Sequence, residues 1–314
     1  MNLSIYRCFK TFLKCIFLSG ILFLMGCSTL VNSKQDSASD SVSDPPAPQL
    51  INNEFAVLGT WWWWVDPRNR TKYLDFAAKN GINEIYYHTT NFGNQTGSFI
   101  EKARDKGIRV FFLEDDYNYI WDRKAFRRLM DRYIAYQNAM PEKRRFAGLH
   151  LDIEPQEHPE FSKNVENFLQ DYIDFIVWVC STYKTSAGSS LAAGTVDLDI
   201  AWWFDDVITY KGEETELYKA LINEADRVFV MSYKDTAEKT FNIAEEEIAY
   251  AKSLNKQIIL GVETGRIDEE DDISYYGKGM AYLNKQLQIL KNLVDYDNCG
   301  LAIHHISSWY TMTP

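Results

Sequence analysis

Phe146-Ala-Gly-Leu-His-Leu-Asp-Ile-Glu-Pro155 is the stretch whose reading decides the fold. Successive side chains of a strand point to opposite faces. Leu149, Leu151 and Ile153 therefore share one face, and Gly148, His150, Asp152 and Glu154 share the other. The first set suits an apolar surface under a helix layer. The second suits the inside of a barrel that ends in carboxylates. Burying a histidine and two acids on one inward face is costly. The position where such a cost serves chemistry is the C-terminal end of a strand in a (β/α)8 barrel.

Working outward from this stretch, short apolar runs alternate with amphipathic segments. Strands are predicted at 55–64, 83–89, 108–114, 146–154, 190–197, 227–233, 257–263 and 300–306. Helices are predicted near 70–80, 96–106, 122–140, 160–183, 214–225, 239–254 and 279–294. Such alternation signals a parallel sheet with crossover helices. Gly81-Ile82 and Gly107-Ile108 each read as a helix stop followed by a strand start. No glycine-rich phosphate loop follows the first strand, where Asp66-Pro67 stands instead, which disfavours an open dinucleotide-binding sheet. The expected fold is α/β, a single (β/α)8 TIM barrel over residues 51–314.

In such a barrel the strand ends converge on one cleft. Here they carry Trp61-Trp62-Trp63-Trp64, then Tyr86-Tyr87-His88, then Glu114, Asp115 and Asp116. Asp152 and Glu154 follow, then Asp197 and Asp199 with Trp202 beyond, and Tyr233. Glu263, His304 and Trp309 complete the set. Acids among aromatic platforms match the needs of glycosidic bond cleavage. One carboxylic acid protonates the leaving oxygen, and a second group supplies or activates a nucleophile. Sugar C–H faces stack on tryptophan and tyrosine. Asp152, Glu154 and Glu263 are the candidate catalytic residues. Trp62, Trp64, His88, Asp197, Trp202, Tyr233, His304 and Trp309 are the candidate sugar contacts. No CxxC or HxH spacing suggests a metal centre, which would require His88, His150, Asp152 and His304 to meet. No cofactor is expected.

Gly148-Leu-His-Leu-Asp-Ile-Glu154 resembles the fourth-strand motif of family-18 chitinase-like glycoside hydrolases, and Met231-Ser-Tyr233 resembles their sixth-strand Met-x-Tyr. The resemblance implies Glu154 as general acid, Asp152 orienting a substrate N-acetyl group, and Tyr233 holding that group's carbonyl. Ala147 and His150 stand where the motif has acids, Lys234 where it has aspartate, and His304 where it has tryptophan. A second resemblance is to the retaining barrel glycosidases with glutamates on strands four and seven. It rests on Glu154-Pro155 and Glu263-Thr-Gly265 and implies Glu263 as nucleophile, with Ile153 in place of their asparagine. Both point to a glycoside hydrolase. The alternative is a catalytically silent glycan-binding protein on the same barrel.

Arg7, Lys10 and Lys14 precede the apolar run 15–25, which ends in Leu24-Met-Gly-Cys27. The run is short for a membrane span and reads as a signal peptide. Its end resembles a bacterial lipoprotein signal, implying cleavage after residue 26 and lipid on Cys27. Residues 27–50 are rich in Ser, Asp and Pro and read as a flexible linker. The implied product is a cell-envelope lipoprotein, anchored outside the cytoplasm at the outer membrane or cell surface, and a monomer. The formal net charge of −11 argues against nucleic acid and strongly anionic glycans as partners, leaving a neutral oligo- or polysaccharide. Cys180 and Cys299 are expected on opposite sides of the barrel, as buried thiols rather than a disulfide.

Overall fold

The computed structural model describes residues 55–63, 65–184, 194–267 and 272–313. Eight parallel strands close a barrel in the order β1 (Leu58–Trp62), β2 (Glu84–His88), β3 (Arg109–Glu114), β4 (Gly148–Leu151), β5 (Thr195–Ala201), β8 (Arg227–Met231), β9 (Gln257–Glu263) and β10 (Cys299–His304), which pairs back to β1. An antiparallel hairpin, β6 (Val207–Tyr210) and β7 (Glu213–Glu216), is inserted after β5. The helices are α1 (Arg70–Lys79), α2 (Asn94–Arg104), α3 (Arg123–Ala139), α4 (Val165–Tyr183), α5 (Leu217–Glu224), α6 (Ala237–Ile243), α7 (Glu245–Ser253), α8 (Met280–Leu293) and α9 (Ile306–Tyr310). Gly81 and Gly107 both take φ of +78°, a conformation that lets each helix stop and the chain turn into the next strand.

Side-chain alternation divides the apolar residues into two clusters. Leu149, Leu151 and Ile153 join the large cluster between strands and helices. Val57, Trp61, Tyr86, Phe111, Leu113, Phe229, Ile259 and Ala302 fill the barrel interior. Cys180 and Cys299 are buried free thiols.

The lower end of the barrel is closed by charge. Arg227, the first residue of β8, sets Nη2 at 2.6 Å from Asp197 and Nη1 at 2.9 Å from Glu84. Tyr86 donates its hydroxyl to Glu84 at 3.1 Å, and Arg109 pairs with the same carboxylate. Glu84 and Asp197 are fully buried. Removing one partner of a buried pair leaves an uncompensated charge, so Arg227→Leu is expected to lose about 3–5 kcal/mol of stability. Urea unfolding measures this, and an unchanged midpoint would refute the assignment of Arg227 as the clamp.

Three sequence expectations are corrected here. The fifth strand runs over Thr195–Ala201, further along the chain than the predicted 190–197. Residues 185–193 lie outside the described residues. The predicted helix at 214–225 is a strand up to Glu216 and a helix from Leu217. The segment 239–254 is two helices, α6 and α7.

Candidate active site

β4 stays extended past Leu151, because the Asp152 N–H donates to the Glu114 carbonyl at 2.9 Å. Alternation then turns Asp152 and Glu154 toward the barrel axis. Pro155 opens a 3-10 turn, Pro155–Glu157, that ends the extended run at Glu154. Gln156 donates to Glu154 Oε2 at 2.5 Å. Both acids are half-buried. Burial, then the neighbouring carboxyls of Asp152, Glu157, Asp199 and Asp115, push the Glu154 carboxyl well above its ordinary range. Burial and neighbouring acids likewise push Glu157 up to about 7 and raise Asp115, while burial and Asp115 push Glu114 up to about 7.

Glu263, the last residue of β9, is 1% exposed. Its Oε2 lies 2.6 Å from His304 Nδ1, and its Oε1 accepts the Gly265 N–H. Trp63 donates its indole N–H to His304 Nε2 at 3.2 Å. That nitrogen is therefore the acceptor, and Nδ1–H donates to Glu263. Burial works against the charge on Glu263. The contact with His304, joined by the Gly265 N–H, outweighs it and holds the carboxyl below its usual range. Two acids in one mouth are thus pushed in opposite directions.

Tyr233 stands just past β8, buried, with its ring 5.7 Å from that of His304. Burial raises its hydroxyl, and so do the charges of Glu263, Asp152, Asp199 and Glu154, which marks Tyr233 as their common neighbour. His88 ends β2 half-buried, with Nδ1 3.6 Å from Asp115 and its ring 5.4 Å from Trp63. Burial lowers its imidazole against the pull of Asp115. Trp202 is half-buried beyond the end of β5. Lys234, in the position where the family-18 motif has aspartate, pairs with Asp272 at 3.1 Å.

The structure thus brings Asp152, Glu154, Tyr233, Glu263 and His304 together. It removes three of the expected sugar contacts. Asp197 is not at the mouth, because the later start of β5 drops it to the barrel floor, bound to Arg227. Trp62 is fully buried against Phe99 in the helix layer. Trp309 is fully buried on Phe76, with its indole N–H on Met280 Sδ. Trp64 lies outside the described residues, as do Cys27 and everything before residue 55.

Residues not assigned from sequence take their places. Trp61 and Trp63 are the inward members of the tryptophan run. Asp199, two residues past Asp197 on the same face, accepts from Trp61 Nε1 at 2.9 Å and lies 2.9 Å from His150 Nε2. Beside the Pro155 turn, the rings of Tyr117 and Trp121 lie 5.8 and 5.1 Å from that of His158, and Trp121 is 42% exposed. Among the described residues, no three His, Cys, Asp or Glu side chains are placed to hold a metal ion. His88, His150 and His304 each face a different acid.

No protein-family model matches this sequence, and a search of curated proteins finds no match. Among solved structures, the chain is similar to the spore cortex-lytic enzyme of Bacillus megaterium, at 14% identity and a TM-score of 0.48 over 85% of this chain and 74% of that one. It is also similar to fungal β-1,4-galactanases, at 12% identity and a TM-score of 0.47 over 80% and 89%. A third likeness is to tryptophan synthase from M. tuberculosis, at 9% identity and a TM-score of 0.40 over 82% and 90%. The fold assignment rests on the strand pairing itself.

Proposed function

We propose that this protein is a glycoside hydrolase in which Glu154 is the general acid and Glu263 the ionised partner. The observation that carries the reading is the contrast in setting of these two carboxyls, Glu154 crowded by other acids and Glu263 accepting from His304 Nδ1 and the Gly265 N–H. Glu154 is held above its ordinary range and Glu263 below it. Acid and base assignments follow from such a split. A protonated Glu154 can give its proton to the leaving oxygen. A charged Glu263 can attack the anomeric carbon, or stabilise the positive charge that develops there. The surrounding acids favour an oxocarbenium-like transition state and repel an anionic sugar, which supports a neutral glycan as substrate. Trp63 and the exposed Trp121 offer ring surface for sugar C–H faces.

The anchor belongs to the same proposal. Residues 1–26 act as a lipoprotein leader and Cys27 carries the lipid, holding the barrel outside the cytoplasm against a membrane.

The test is release of new reducing ends from a panel of N-acetylated and non-acetylated neutral glycans. Turnover in one half of the panel is expected. Preference for the N-acetylated half would transfer the second role to Asp152, as the family-18 resemblance implies. Binding without release from any glycan would overturn the enzyme in favour of a glycan-binding barrel.

A further inference from the structure

We propose that Asp152 and Asp199 form a carboxyl pair holding one proton, and that Asp199 is a positioning residue that keeps Asp152 a hydrogen-bond donor at the mouth. The pair stands on geometry. Its catalytic consequence rests on the glycosidase reading above.

β4 and β5 run in parallel, with His150 beside Asp197 and Leu151 beside Leu198. One step further sets Asp152 abreast of Asp199, about 4.8 Å apart at the backbone. Both point inward. Oδ2 of Asp199 is already engaged by Trp61 and His150. Oδ1 of Asp199 and Oδ1 of Asp152 are both buried, and neither has a hydrogen-bond partner among the described residues. Two such oxygens on neighbouring carboxyls are expensive if both groups are charged. A single proton between them satisfies both.

The proton belongs on Asp152. Asp199 has two N–H donors fixed on its far oxygen, which favour its charged form. Asp152 has none there, and the carboxyl contact raises it while lowering Asp199, within a general rise of both that burial causes. Burial pushes His150 down to about 3, so its ring is a neutral donor and brings no cation to the pair. From the same face, Asp115 and Glu157 push Asp152 up, and Asp197 does the same to Asp199. His304 faces Asp199 from the end of β10. Glu154, Tyr233 and the Tyr172 hydroxyl face the pair from β4, the end of β8 and α4.

The test is carboxyl carbon NMR of the full chain labelled at aspartate Cγ, with Asp152→Asn and Asp199→Asn used to assign the two signals. The expected result is one protonated and one ionised aspartate at neutral pH, titrating in two separated steps. An asparagine at 199 offers N–H donors to Asp152 and releases its proton, so the Asp152 step moves to lower pH. Should Asp199→Asn fail to fold, Trp61→Phe removes one donor from Asp199 and moves the Asp199 step upward. Two aspartates both ionised at neutral pH, or an Asp152 step that ignores these variants, would overturn the pair.

A second arm reads sugar release. Asp199→Asn is expected to lower kcat about 10²-fold, the usual loss for one transition-state donor, with KM nearly unchanged. The alkaline limb of the profile moves to lower pH. A merely structural Asp199 would lower the thermal midpoint and leave kcat in the folded fraction where it is. Absence of sugar release in wild type counts against the glycosidase reading alone, since the NMR arm decides the pair without turnover.

Discussion

Glu154→Gln is expected to lower kcat for glycan release by about 10²–10⁴-fold, the range for loss of a positioned general acid. KM should move little, because the amide keeps the shape of the acid and most of its contacts. The fold should also be indifferent to the change. Glu154 is held in its neutral form first by burial and then by the acids around it, so the variant exchanges one neutral group for another. The pH dependence follows from the same displacement. A group raised above its ordinary value is protonated below its folded pKa and loses the proton as pH rises through it. Wild type therefore loses activity on the alkaline side, at a pH well above the usual glutamate range. Substrates whose leaving group needs no protonation should lose far less in Glu154→Gln, since the acid contributes only to leaving-group departure. A variant that hydrolyses natural and activated substrates at wild-type rates would end the assignment.

How far the sequence reaches can be judged residue by residue. The period of two holds from Leu149 to Glu154. Leu149, Leu151 and Ile153 pack under helices, while His150, Asp152 and Glu154 turn inward. The pattern is readable there because apolar and polar residues alternate from Leu149 to Glu154. The tryptophan run is different. Residues 61–64 are identical in kind, so no alternation marks which members face inward, and Trp62 falls on the helix side while Trp61 and Trp63 face the axis. β5 illustrates a second limit. Val196, Leu198 and Ile200 mark the outward face, but Ala192 and Ala193 extend the apolar run backward and blur where the strand begins. An early start makes Asp197 a strand end. Its true partner, Arg227, lies thirty residues on in the sequence, and a strand-by-strand reading has no way to supply that pairing. The hairpin has a turn signal in Lys211-Gly212, both at positive φ after the β-branched Val207-Ile-Thr209, but the acidic Glu213–Glu216 that follows reads as the start of the helical pattern beyond it.

Glu263→Ala is expected to lower kcat about 10⁴-fold or more, as when one member of a tightly coupled catalytic unit is removed. The charge on Glu263 is what the reaction needs, and here the pH sign is opposite to that of Glu154. A carboxyl held below its ordinary value stays ionised until the pH falls through its lowered folded pKa, so the acidic limb of the wild-type profile belongs to Glu263. Together the two limbs give a bell. Glu263 also has a structural share, because it accepts from His304 Nδ1 and from the Gly265 N–H. An amide cannot replace it without conflict. Whichever way a glutamine turned, its NH₂ would face the Gly265 N–H or His304 Nδ1–H, and a shift of the histidine proton would set Nε2–H against the Trp63 indole N–H. Loss of activity in Glu263→Gln would therefore mix chemistry with a disturbed His304. The alanine variant with added azide or formate separates them. A small anion in the vacated space can attack the anomeric carbon in place of the carboxylate, which restores turnover and, with azide, yields a glycosyl azide of inverted configuration. A collapsed scaffold gains nothing from the anion. Rescue assigns Glu263 as the nucleophile. Failure of rescue in a variant that keeps its thermal midpoint, joined to inversion by wild type, would make Glu263 the base that activates water instead.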